Sequence, residues 1–252
     1  PDNQNALINA NAVVDRNTGT ANVDNPTRIE IGSGPGASGS VTVSGGTLSG
    51  AHGGGNGIFV GANGGNGTLR VEEGATYRSQ GGTMQFAVGD FSGGTGFVSV
   101  AGVMQIYKFL NVNNGIFEML PTGKCNLFNS NDPSSIGAEG TLSFVIDGSD
   151  VGSLERSNTN GLNLTIDSAA TLKINLGGDF ELNDSWALMR YSSLSGQFKE
   201  GESFTNEQGY TFAVDYGSGN NDAVILTLTS DSERPKISNL IATPAAISAG
   251  AS

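Results

Sequence analysis

Cysteine is almost missing: Cys125 is alone among 252 residues, so no disulfide can form within the chain. Its setting, KCNLF (124–128), reads as a core position and the residue as a buried, inert thiol. Histidine and tryptophan occur once each, as His52 and Trp186. His52 lies in SGAHGGGNG, with neither a nucleophile nor an orienting acid beside it, so a solvated turn is expected and not a catalytic triad. Basic residues are scarce: 12 Lys and Arg stand against 24 Asp and Glu, giving a net charge of −12 and an isoelectric point near 4.3. That balance excludes the basic face a nucleic-acid binder needs, and it offers no attraction to an anionic membrane. No long apolar run exists, so no helical span and no membrane insertion are expected. Aromatic residues make up 7%, without the regular spacing of a sugar-stacking ladder.

Glycine, by contrast, is abundant at 39 residues, about twice ordinary usage, yet without the triplet period of collagen. It punctuates a phrase written three times. GSVTV (39–43), GTLRV (67–71) and GFVSV (96–100) are equivalent, and their closing valines, Val43, Val71 and Val100, follow one another at a nearly constant interval. A second landmark, IEIG (29–32), IFVG (58–61) and FAVG (86–89), keeps the same period. A fixed period of about 28 residues marks a stacked repeat. Within each unit apolar residues alternate, as in Ile58 and Val60 or Leu69 and Val71, the pattern of short half-buried strands. GSGPGAS (32–38), GANGGN (61–66) and GDFSGGT (89–95) supply the corners, where positive φ suits glycine and asparagine. One unit cannot bury its own apolar side, but stacking Val43, Val71 and Val100 on one another makes a continuous core. The fold expected is therefore all-β: a parallel β-solenoid with ~28-residue repeats and terminal caps. A β-sandwich or jelly roll is the alternative.

Taken in order, residues 1–26 are asparagine-rich, with the apolar pairs Leu7-Ile8 and Val13-Val14, and read as an N-terminal cap. Residues 27–114 are the glycine-rich coils, closing with Leu110 and Val112, which answer Val88 at a spacing shorter than the repeat. Residues 115–230 read as degenerate coils and a C-terminal cap. Strands are expected at 116–120, 124–128, 141–147, 162–167 and 170–176, with 129–140 a polar loop. WALMRYSSL (186–194) fits a short helix or a strand, and 209–216 with 223–229 resemble a hairpin. Residues 231–252 read as a linker or the start of a following β module, so the chain is expected to be part of a longer polypeptide whose leader has been removed.

GSVTVSGGTLSG (39–50) and GNGTLRVEEGATYRS (65–79) resemble the repeats of secreted bacterial autotransporter passengers and of proteins with autotransporter-associated β-strand repeats. The segment FAVDYGSGNNDAVILTLTS (212–230) is similar to the close of such repeat regions. The resemblance implies a right-handed coil, an extracellular or cell-surface location and a bacterial origin. No membrane β-barrel is included, so self-export is not implied, and 115–180 departs from the repeat phrase.

Candidate chemistry is sparse. Glycine runs such as GANGGNG (61–67) open no helix, so they do not meet the condition for dinucleotide binding. Hydrolysis of glycans needs two converging carboxylates, but Ser44 and Ala101 occupy the positions aligned with Glu72, so no acidic ladder forms. The chain is accordingly read as no enzyme. Asp-rich turns give Asp147, Asp150 and Asp222 as candidate ligands for a structural calcium ion, beside the plainer reading of Asx turns. Tyr77, Phe91 and Trp186 are the candidate sugar-stacking rings, with Tyr77 and Phe91 placed in or near corners. The function expected is an adhesin-like structural module, with surface glycans or neighbouring modules as partners. The alternative is a carbohydrate-binding or polysaccharide-processing β-helix.

Overall fold

The computed structural model describes residues 6–8, 11–22, 28–50, 57–79, 85–90, 92–128, 133–156, 162–218 and 220–231. Every regular element among them is a strand, and most pairings are parallel. The strands fall on three faces of a rising coil. On the first, Ile29, Ile58, Phe86 and Leu110 are successive partners, and Val88, Val112, Ile136 and Ile166 continue the climb. On the second, Val43, Val71 and Val100 stack directly, followed by Met119, Phe144 and Ile174. On the third, Leu48, Tyr77, Met104, Cys125, Leu154 and Met189 form one column. A sandwich of antiparallel sheets has no such columns, so the solenoid reading stands and the sandwich falls.

Alternation drives this arrangement. Side chains at every second position turn inward, and the burial of Asn66–Val71 runs exposed, buried, half-buried, buried, exposed, buried. Val43, Val60, Val88, Val100 and Val112 are all fully enclosed. Each such side chain is worth about 1.5–3 kcal/mol relative to an exposed one. The corner between the first and second faces is equally constrained. Gly61 has φ of 76°, and a Cβ there would lie 2.0 Å from the carbonyl oxygen of Thr95 on the next coil. Only glycine lets the two backbones pass so closely.

Above the glycine repeats the coil tightens. Val100 pairs directly with Met119, and Val88 with Val112, so the chain completes these turns with fewer residues than the repeats below use. As the glycine corners thin, the inward residues enlarge: Val98 and Val100 give way to Phe117 and Met119, then to Leu142 and Phe144, all fully buried.

One segment departs from the sequence expectation, and three others, among them the hairpin expected at 209–216 and 223–229, are given their places by the structure. Residues 134–140, expected as loop, belong to the strand Ser134–Asp147. Ser134 takes an inward position, and its hydroxyl accepts the Leu110 N–H at 3.1 Å, so a polar residue is tolerated in the core. Residues of the expected N-terminal cap form Ala6–Ile8 and Asn11–Asn22, which join the same ladders as ordinary rungs. The stretch 186–194 lies in the strand Ser185–Ser195, which spans two faces and pairs in parallel with Leu154 on one and with 162–165 on the next. Finally the coil ends in antiparallel pairing: Asn220–Ser230 runs back along Ser185–Ser195 and is covered by Thr211–Asp215, then by Ser203–Thr205. Phe198 and Phe212 are buried beneath this cover, and Phe204 stands 5.5 Å from Phe212 between ring centres.

Candidate functional site

Two of the aromatic candidates, Tyr77 and Trp186, are buried. Tyr77 is 2% exposed, inside the third-face column, with its ring edge-on to Phe86 at 5.8 Å and 65°. It is not at an open corner, because it occupies an inward position of the strand Thr76–Ser79. Its hydroxyl has no hydrogen-bond partner, and burial pushes its ionisation far above the ordinary tyrosine range. Trp186 is buried at the start of Ser185–Ser195, where Nε1–H donates to the Gly148 carbonyl at 3.0 Å. Phe91 and His52 lie outside the described residues.

The aspartate candidates lie at turns. Asp147 and Asp150 face each other across an antiparallel pair closed at Gly148, whose φ is 60°. Asp222 closes the turn before the last strand: Oδ2 accepts from the Ser218 N–H at 2.8 Å and hydroxyl at 3.1 Å, and Oδ1 accepts from the Ala223 N–H at 2.9 Å. The Ser218 N–H first, then that of Ala223 and the Ser218 hydroxyl, hold its carboxyl below the ordinary aspartate range. Asp215 does the same work for the Gly217 N–H at 2.8 Å. Among the described residues no three His, Cys, Asp or Glu side chains converge in a metal-binding group. The carboxylates of Asp215 and Asp222 serve main-chain amides, the ordinary Asx-turn arrangement.

Two polar constellations lie outside the candidates read from the sequence. At the first corner, Glu30 is 2% exposed, and Oε2 accepts from the Ser33 hydroxyl and from Asn63 Nδ2 at 3.3 Å. Asn63 also donates through Nδ2 to Ser33 Oγ at 3.0 Å, and its main-chain N–H donates to Asp90 Oδ2 at 2.5 Å. Asp90 Oδ1 in turn accepts from the N–H groups of Ser92 and Gly94, so both carboxylates are taken up in tying successive corners together. The Asn and Asp that follow IFVG and FAVG were the available signal.

The second lies where the second face ends. A pocket of about 250 Å³ opens beside Thr171–Gly177, lined by Thr171, Lys173, Lys199, Glu200, Phe204 and Glu207 among others. Lys173 Nζ and Glu207 Oε2 are 3.3 Å apart across its exposed rim, a pair worth little to stability. Glu200 Oε2 accepts the Leu172 N–H at 2.9 Å, so this carboxylate too is bound to backbone. The outer surface of the second face carries Arg70 over the half-buried Phe97 ring at 5.4 Å, with Ser99 donating to Glu118 Oε2 at 3.3 Å in the next registers. Phe97 is thereby covered by a cation and not left open for a sugar.

Comparison of the chain with protein-family models, with curated proteins and with solved structures finds no match.

Proposed function

We propose that this chain is a structural, adhesin-like β-solenoid module of a larger secreted or cell-surface bacterial protein. Its work is to hold neighbouring modules at a fixed separation and to offer flat lateral faces to those modules or to surface glycans. The observation that carries the reading is the core itself. The second-face ladder from Val14 through Val43, Val71, Val100, Met119 and Phe144 to Ile174 is unbroken, and every described inward residue of it is buried. At about 4.8 Å per layer that ladder rises roughly 30 Å. Such a column resists bending because each inner rung is hydrogen-bonded above and below. The acidic surface, with pI near 4.3, favours solubility and discourages adventitious contact.

The reading is tested by spin labels at Thr42 and Lys173, which lie in one outward column joined through Arg70, Ser99, Glu118 and Ser143. Five layers separate them, so a narrow distance distribution centred at about 24 Å, before label linkers, is expected. A broad distribution would show that the module does not fix a separation. Retention on insoluble polysaccharide points to the glycan-facing version of the proposal, and release of new reducing ends or unsaturated products would replace it with catalysis.

A further inference from the structure

We infer that the loop 198–209 is a seal that closes the end of the second face against strand pairing by a second copy of this chain. The final second-face strand, Thr171–Gly177, has among the described residues a ladder partner on one side only, the strand Ser134–Asp147. In a parallel ladder, alternate residues direct both N–H and C=O to the same neighbour. Leu172, Ile174 and Leu176 are the set directed away from Ser134–Asp147, because these are the residues whose main-chain groups meet side chains of the loop.

Those side chains stand in for a strand. Glu200 Oε2 accepts the Leu172 N–H at 2.9 Å, and Asn206 Nδ2 donates to the Ile174 carbonyl at 3.0 Å. Gln208 makes both contacts of a peptide group at once: Oε1 accepts the Leu176 N–H at 2.7 Å, and Nε2 donates to the Leu176 carbonyl at 2.9 Å. The primary amide reproduces the donor and acceptor of a neighbouring main chain, without offering a further edge. Asn206 is itself fixed, since Oδ1 accepts from the N–H groups of Gln208 at 3.1 Å and Tyr210 at 3.0 Å. Leu172 and Ile174 are each 2% exposed and Leu176 8%, although among the described residues no strand pairs with them on this side. An unpaired edge of this length is otherwise a template for another chain. The occupant to be excluded is a second copy because Asn11–Asn22, at the opposite end of the same face, also pairs on one side only among the described residues. Its parallel, in-register addition would continue the ladder, and such head-to-tail contacts do not close on themselves. The first and third faces carry their own cover, the antiparallel strand Asn220–Ser230.

The test is the double substitution Asn206→Ala with Gln208→Ala in the full chain, compared with the unaltered protein by light scattering over a concentration series. The seal predicts a concentration-dependent rise in mass to that of a dimer or larger, with an unchanged β signature by circular dichroism. A folded double variant whose mass matches that of the unaltered protein at every concentration overturns the inference. Should the double variant fail to fold, amide exchange on the unaltered protein decides. Leu172 and Leu176 N–H must exchange as slowly as ladder amides such as Leu142, and rapid exchange at either overturns the seal.

Discussion

Replacing Tyr77 with phenylalanine should raise the stability of this protein. The Tyr77 hydroxyl is enclosed in the third-face column without a hydrogen-bond partner. Leaving such a group unsatisfied costs about 1–3 kcal/mol. Phenylalanine removes that cost and keeps the edge-on contact with Phe86. The void left by one oxygen costs less than about 0.5 kcal/mol at about 24 cal/mol per Å³. The net gain is about 1–2 kcal/mol, a rise in Tm of roughly 2–8 °C for a chain of this size. Calorimetry and urea midpoints on both proteins measure it. The sign of the pH dependence is also fixed. Burial raises the phenol's pKa in the folded state, so the stability of the tyrosine protein is intact below the unfolded value of about 10 and declines as pH rises beyond it. The advantage of the phenylalanine variant therefore widens in alkali. Tyr77→Leu, which loses the ring pair as well, should be destabilised. A phenylalanine variant less stable than the parent would show that the hydroxyl is satisfied, and the reasoning would fail.

Gly61→Ala should cost about 3 kcal/mol or more, since it forces a Cβ to within 2.0 Å of Thr95 O at a φ of 76°, whereas Gly34→Ala meets no atom within 4 Å and should cost only about 1–2 kcal/mol. Thermal denaturation of the pair separates steric collision from backbone strain. Cys125 is fully buried and burial pushes its thiol upward, so a thiol reagent should leave the native protein untouched and react fully in denaturant. The Asp222 carboxyl is held low by its turn amides, so its contribution is present above the ordinary value of about 3.9 and is lost as pH falls through the lower folded value. Amide exchange at Ser218 should accelerate over that interval, and in the Asp222→Ala variant it should be fast at every pH.

The repeat was legible because its register and its periodicity are the same fact. Once Val43, Val71 and Val100 share a period, stacking is the only way to bury all three, and the shorter rung joining Val88 to Val112 was equally readable. Position within a strand was harder to read at polar residues. Ser134 fills an inward site because it satisfies the Leu110 amide, which alternation of apolar residues cannot reveal. Tyr77 differs for the converse reason: its place in the sequence is near a corner, while its parity along the strand puts the ring inside. The loop over the last rung left no trace in pattern, because Glu200, Asn206 and Gln208 reach main-chain groups of Leu172, Ile174 and Leu176, a full turn earlier in the chain. Local sequence carries no record of such long-range contacts.

The tightening of the coil above Val100 has a consequence for how this protein can change in length. Rungs built on valine and glycine at one shared spacing are interchangeable parts, so a whole repeat can be duplicated or removed there with the neighbouring rungs still matching. Rungs holding Phe117, Met119 and Phe144 follow one another at uneven spacings and are each cut to one perimeter. A repeat can be added or removed among the glycine rungs, while a cut through the upper half would leave its neighbours mismatched.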